Sequence, residues 1–213
     1  MGCPSKLYFK MKRFLLILSI LFTTLVSAQN RIIQYENEVF KVLYSESFEQ
    51  PLKLEYVVDC WDGEHSRAGM NFYKVEGIHT SDNADYRNNE WDKGHLAPAA
   101  AFKCDEEELY MTFSYLNCAL QHEGLNRGPW KDLEAYEREL AERYGKVKVI
   151  IDLEFANFCE NRLETGAVVP SAFKKTIMVD LNPDPDVFEL GKKVYVFPNT
   201  NLRGEDYNDY QIQ

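Results

Sequence analysis

The chain is 213 residues long, with 24 Lys and Arg against 34 Asp and Glu, a formal net charge of −10, and 45% hydrophobic residues. That length suits one domain with a sizeable core, and the composition excludes a disordered, collagenous or low-complexity chain. The acidic balance excludes a protein coated in basic charge, so phosphate-binding groups are either gathered in one place or supplemented by the local positive charge of a bound cation in a weak, fast-releasing site.

Met11-Lys12-Arg13 opens a basic stretch, and Phe14 to Val26 is an unbroken run of apolar and hydroxyl residues. Val26-Ser27-Ala28 then offers small side chains at a cleavage position. This pattern predicts a signal peptide over residues 1–28, with Met11 a second candidate start, and a single mature domain over residues 29–213. The apolar run falls short of the roughly 20 residues that span a bilayer, so no stable membrane association is expected after cleavage. The location implied is secreted or periplasmic. Lys6, Lys10, Lys12 and Arg13 leave with the leader, and the mature balance becomes 20 basic against 34 acidic residues, a net of −14. Cys60, Cys104, Cys118 and Cys159 remain. An even count in an exported chain permits two disulfides in three pairings, and the absence of a CxxC pair speaks against zinc.

In chain order, Val39 to Tyr44 and Leu54 to Val58 alternate as strands do. Asp59 to Met70 is a polar loop carrying Arg67, and Thr80 to Asn89 is a second one carrying Arg87. Trp91 to Pro98 reads as a strand that turns at Gly94. Asp105 to Leu109 starts a short helix, and Tyr110 to Cys118 reads as extended. Pro129 to Tyr144 is the clearest helix, since Leu133, Tyr136, Leu140 and Tyr144 recur at helical spacing. Pro129 suits its first turn and Gly145 its stop. Val147 to Phe155, Thr176 to Leu181 and Lys193 to Phe197 read as buried strands. Strands outnumber helices and are not separated by them, which predicts an α+β fold with a largely antiparallel central sheet and flanking helices. Trp61, Trp91 and Trp130 read as core anchors, and Glu137, Glu139 and Glu142 as a solvated helix face.

Two polar clusters stand out. One is Trp91-Asp92-Lys93-Gly94-His95-Leu96-Ala97-Pro98-Ala99; the other is Asn117, Gln121, Asn126, Trp130 and Glu134. Asp92-Lys93-Gly94-His95 resembles the Asp-Arg-Gly-His signature of the DNA/RNA non-specific endonucleases, the ββα-metal superfamily of Serratia nuclease and endonuclease G. The spacing of Asn117, Asn126 and Glu134 is similar to that family's Asn, metal-ligating Asn and Glu. Softer matches are Asp85-Tyr86, Val169 to Lys174 and Phe197-Pro198-Asn199, so the resemblance covers about residues 40 to 200. Lys93 stands where the signature has Arg.

The resemblance implies an embedded ββα-metal motif and hydrolysis of DNA, with RNA as a further substrate, at little sequence preference and with 5′-phosphate products. It implies His95 as general base, Arg67 on the scissile phosphate with Arg87 as its competitor, and Asn126 as the Mg²⁺ ligand, with Mn²⁺ a substitute. Glu134 would hold a metal-bound water. Asn117 would orient substrate or the Asn126 region, Lys93 would bind phosphate as a point charge, and Asp92 would brace the turn or the His95 region. The chemistry suits these types: neutral imidazole accepts a proton near neutral pH, and Mg²⁺ takes hard oxygen ligands and keeps several waters. Dimers occur in that family, though nothing in the sequence marks an interface. The competing readings are a catalytically inactive nucleic-acid-binding relative, and a toxin or effector nuclease with an immunity partner.

Overall fold

The computed structural model describes residues 31–182 and 189–212; the expected leader over residues 1–28 lies outside them. Chain order is β1 (Ile32–Glu36), β2 (Phe40–Ser45), β3 (Gln50–Val58), β4 (Trp91–His95), α1 (Glu106–Met111), β5 (Cys118–His122), α2 (Glu123–Asn126), α3 (Pro129–Tyr144), β6 (Val147–Glu154), β7 (Ala172–Asp180), β8 (Leu190–Pro198) and β9 (Gln211–Ile212). Seven strands form one sheet in the order β1-β2-β3-β6-β7-β8-β9, and β4 pairs with β5 in a separate ribbon. Every pairing between these strands is antiparallel. The α+β expectation with an antiparallel sheet holds.

Period-two burial shows which face of the sheet is dry. Val147, Val149, Ile151 and Leu153 of β6 are buried, and so are Phe173, Lys175, Ile177 and Val179 of β7. Their neighbours in sequence point the other way, where Lys41, Glu55, Lys148 and Lys174 keep contact with solvent. An antiparallel sheet tolerates such a wet face because no crossover helices need to cover it.

Helix α3 covers the dry face. Pro129 sits at its first position, and Gly145 ends it at φ 86°, donating its N–H to Ala141 O at 2.8 Å. A residue with a Cβ would be strained at that φ, which is why glycine stops the helix there. Trp130 is fully buried and meets Phe173 and Phe197 edge-on at 5.4 and 5.9 Å. Glu137 does not join the solvated face expected for it. Its side chain is fully buried, accepts from Tyr56 at 2.6 Å and pairs with buried Lys175 at 2.7 Å. Lys175 Nζ in turn lies 3.9 Å from the centre of the Trp130 ring. Two charges survive burial here because each is paired and hydrogen-bonded.

Several local expectations change. Tyr110 to Cys118 is not extended. Asp105 caps α1 by accepting from Glu107 and Glu108 N–H, the helix continues to Met111, and a 3₁₀ turn over Tyr115–Asn117 precedes β5. β4 runs straight through Gly94 rather than turning there. The glycine is needed because a Cβ would lie 2.4 Å from Gln121 Oε1 and 2.6 Å from Gln121 Cβ. Trp61 is 42% exposed and is no core anchor.

The β4–β5 ribbon is docked on the large sheet by side-chain amides. Gln50 Oε1 of β3 accepts from Leu120 N–H at 3.0 Å. Asn199 accepts from His122 N–H at 2.8 Å and donates to Leu120 O and Pro170 O. These bonds satisfy strand groups that would otherwise be buried without partners, and they hold the ribbon that leads into α2 and α3 against the sheet.

Candidate active site

The ribbon register places His95 opposite Cys118 at the end of β4 and Asp92 opposite Gln121. The chain then leaves β5 through the single turn of α2, which ends at Asn126, and enters α3. Side chains from β4, α2 and α3 therefore converge on one cleft of about 810 Å³. His95, Lys93, Asn126 and Glu134 all line it, and so does Arg67 from the loop after β3.

His95 is partly buried between Phe72 and Phe113, with ring centres at 4.7 and 4.9 Å. Its Nε2 is buried and has no hydrogen-bond partner among the described residues. Burial pushes the imidazole from 6.5 down to about 3, and the nearby Arg67 guanidinium pushes the same way. The ring is therefore neutral, with an unclaimed nitrogen.

Asn126 is oriented by Asp92. Its Nδ2 donates to Asp92 Oδ2 at 2.8 Å, so its Oδ1 is the free end and accepts from no described residue. The same carboxylate receives Arg127 through Nε at 2.8 Å and Nη2 at 2.6 Å. Asp92 thus ties down the Asn126–Arg127 segment, not its own turn or the His95 region. Glu134 stands eight residues on, partly buried on α3. Burial raises its carboxyl from 4.5 to about 7; Lys175 opposes that shift and Glu137 adds to it. Among the described residues no group of three or more His, Cys, Asp or Glu is placed to hold a metal. The donor set is one unshared amide oxygen and one carboxylate. Both are hard oxygens, and so few protein ligands fit a cation such as Mg²⁺ that keeps most of its water.

The other sequence candidates separate clearly. Arg67 and Arg87 do not share a site: Arg67 lines the cleft with His95, and Arg87 lines a different recess. The Arg67 loop is stapled to the segment after β4 by a disulfide between Cys60 and Cys104 and by His65 N–H donating to Lys103 O at 3.1 Å. Cys118 is a free, buried thiol, so Cys60, Cys104, Cys118 and Cys159 do not form two bridges with one another. Asn117 does not line the cleft. It is fully buried, donates to Ala97 O and Thr112 O, and accepts from Ala97 N–H at 2.7 Å. It acts on His95 by clamping the backbone two residues beyond it. Lys93 Nζ lies 5.4 Å from the ring centres of Phe72 and Tyr115, 5.8 Å from that of Tyr86, and donates to Asn83 Oδ1.

Sequence reasoning missed Lys103, Arg127, Lys131 and Arg138, which also line the cleft. With Arg67 and Lys93 they give it six cations against Glu64 and Glu134. Helical spacing could have found two of them, since Lys131 and Arg138 stand three before and four after Glu134 on α3. The acidic chain thus brings six of its basic groups to one cleft.

A model of the DNA/RNA non-specific endonuclease family matches residues 22–213. The chain belongs to that family. Among its relatives, a mitochondrial nuclease EXOG of Danio rerio is 30% identical over 153 residues, covering 66% of this chain and 44% of that protein. The mitochondrial endonuclease G of Bos taurus is 36% identical over 90 residues, 41% of this chain and 30% of that protein. The chain thus spans less than half the length of these two relatives. A crystal structure of an EndoG/EndoGI complex, described as showing the mechanism of EndoG inhibition, superposes with a TM-score of 0.71 at 23% identity. It covers 84% of this chain and 80% of that one, and shows the shared fold. The relatives' names also correct one expectation. They are mitochondrial nucleases, which points to a mitochondrial setting and away from a secreted or periplasmic one. No helix among the described residues is long and apolar enough to cross a membrane.

Proposed function

We propose that this family member is a metal-dependent endonuclease that hydrolyses phosphodiester bonds of DNA and RNA with little sequence preference. The observation that carries this reading is the convergence, in one cationic cleft, of a neutral histidine, an unshared amide oxygen, a partly buried carboxyl and Arg67.

The scissile phosphate binds against Arg67, whose planar fork of donors matches its oxygens and stays charged. Water poised on the far side of phosphorus gives its proton to His95 as it attacks in line. Burial keeps the ring neutral, so a proton acceptor is present near neutral pH in the free protein. Bound phosphodiester places negative charge beside Arg67 and cancels the guanidinium's share in depressing the imidazole, so His95 is a stronger base when substrate is present. Asn126 Oδ1 would hold Mg²⁺, with Mn²⁺ as substitute, and Glu134 would reach it through a bound water. When bound, the cation supplies charge neutralisation at the phosphate and at the departing 3′ oxygen. Lys103, Lys131 and Arg138 extend positive charge along the cleft, where they meet backbone phosphates and read no bases, consistent with low sequence preference.

The test uses the full chain and a His95→Ala variant with plasmid DNA and with RNA, each in Mg²⁺ and in EDTA. Mg²⁺-dependent breakdown by the parent and not by the variant supports the reading. Undiminished breakdown by His95→Ala, or none by the folded parent in either Mg²⁺ or Mn²⁺, overturns it.

A further inference from the structure

The recess that holds Arg87 has a volume of about 420 Å³ and is lined by Phe72, Lys74, Asp82, Asn83 and Tyr115 as well. It adjoins the catalytic cleft through Phe72. Phe72 lines this recess, and its ring packs against His95 at 4.7 Å. Lys93 lines the cleft, while its ammonium lies over the Phe72 and Tyr115 rings and is tied to Asn83. Asn83 Oδ1 also accepts from Tyr115 Oη at 3.0 Å, so the partition is braced from both sides.

Charge within the recess is not balanced. Lys74 pairs with Asp82 at 3.1 Å, and the Asp82 carboxyl is held below its usual range first by the Ala84 N–H. That leaves the Arg87 guanidinium exposed and without a hydrogen-bonded partner among the described residues. A partly exposed aromatic face beside an unpaired guanidinium is the combination that single-stranded nucleic acid uses: every base has a π-face to stack, and every nucleotide brings a phosphate.

We propose that this recess is a second nucleotide subsite, taking the nucleotide next to the scissile bond with its base against Phe72 and its phosphate on Arg87. The inference rests on the nuclease reading above and adds to it. Arg67 grips the phosphate that is cut; Arg87 grips a neighbour along the same strand. Substrates too short to reach the recess lose this contact and nothing else.

The experiment compares full-length parent, Arg87→Ala and Arg87→Lys on two substrates. One is a 12-nucleotide single-stranded DNA; the other is bis-p-nitrophenyl phosphate, which has no second nucleotide. Binding of the fluorescently labelled oligonucleotide is measured in parallel by anisotropy in Ca²⁺. Arg87→Ala should raise KM and Kd for the oligonucleotide about tenfold and lower the salt slope of binding by about 0.7 to 1, the loss of one phosphate contact. Its rate on the small diester should equal the parent's, and Arg87→Lys should recover most of the loss. Parent-like oligonucleotide binding by Arg87→Ala, or an equal loss on both substrates, overturns the subsite. A parent that binds the oligonucleotide through Arg87 yet cleaves neither substrate overturns the nuclease reading alone.

Discussion

Asp92→Ala isolates the device that aims Asn126. In the parent, Asp92 Oδ2 holds Asn126 Nδ2 at 2.8 Å, and that bond alone decides which end of the amide faces the cleft. Without it the amide rotates freely, and the productive end is presented only part of the time. A hydrogen bond to a charged group contributes about 1.5–3 kcal/mol when it is sheltered, and the Asp92 side chain is only 20% exposed. Loss of the residue that orients a metal ligand costs about 10- to 100-fold in metal affinity or activity, which agrees with that range. The expectation is therefore a 10- to 100-fold rise in the Mg²⁺ concentration giving half-maximal cleavage, with kcat at saturating Mg²⁺ within a few-fold of the parent. Asp92→Asn, which keeps an oxygen acceptor for Asn126 and loses the charge, should fall between. Calorimetric titration of Mg²⁺ into substrate-free protein provides a readout independent of turnover. An unchanged Mg²⁺ titration with a collapsed kcat would refute the reasoning, because Asp92 would then act on the reaction and not on the ligand.

Lys175→Met should strand a buried carboxylate at Glu137 and cost about 3–5 kcal/mol, lowering Tm by roughly 6–20 °C. Lys175→Met combined with Glu137→Leu should recover most of that in the same thermal melt; no recovery would mean the two charges are not coupled. Gly94→Ala places a methyl group 2.4 Å from Gln121 Oε1, so activity should drop at least tenfold through displacement of the neighbouring His95. Adding Gln121→Ala should restore part of it, and a fully active single variant would show that the ribbon yields more easily than the contact implies. The pH dependence of stability carries two opposite signatures, readable by calorimetry in EDTA. His95 is depressed from 6.5 to about 3, so the unfolded chain binds the extra proton between those values and the stability present above 6.5 is lost as pH falls through that window. Glu134 is raised from 4.5 to about 7, so the folded chain keeps a proton that the unfolded one sheds, and stability falls as pH rises from 4.5 to 7. His95→Ala should thus gain on the parent at pH 4, and Glu134→Gln should gain at pH 8; curves parallel to the parent's would contradict both assignments.

What was legible in the sequence were features with local causes. Helix α3 has the bounds expected of it because Pro129, the apolar stripe and Gly145 all act within one segment. The grouping of His95, Asn126 and Glu134 was legible because the ββα unit is nearly contiguous, with spacing that survives as geometry. Long-range pairing hid the rest. Glu137 looks solvated until Lys175, 38 residues away, is placed against it. Asn117 looks substrate-facing until Ala97, 20 residues earlier, closes on its amide. Strand β5 was misplaced because Cys118 to Gln121 are all buried and show no alternation, while the preceding aromatic run mimics a strand. The choice between Arg67 and Arg87 was open because both lie on polar loops, and only the fold assigns them to separate recesses.

The Cys60–Cys104 bridge closes a ring of sequence separation 44. Inside that ring lie Arg67, Arg87, Asp92, Lys93 and His95; outside it lie Asn126 and Glu134. The proposed proton acceptor and phosphate grips thus travel on one covalently closed piece, and the residues proposed to hold the metal and its water lie outside it. Closing a ring of that size removes loop entropy from the unfolded chain equivalent to about 4 kcal/mol. There is also a topological consequence. A protease that cuts the exposed stretch near Gly69 or Gly77 produces no free fragment, because both new ends stay attached through the sulfurs. The nicked molecule keeps every side chain of its site and comes apart only when it is both denatured and reduced.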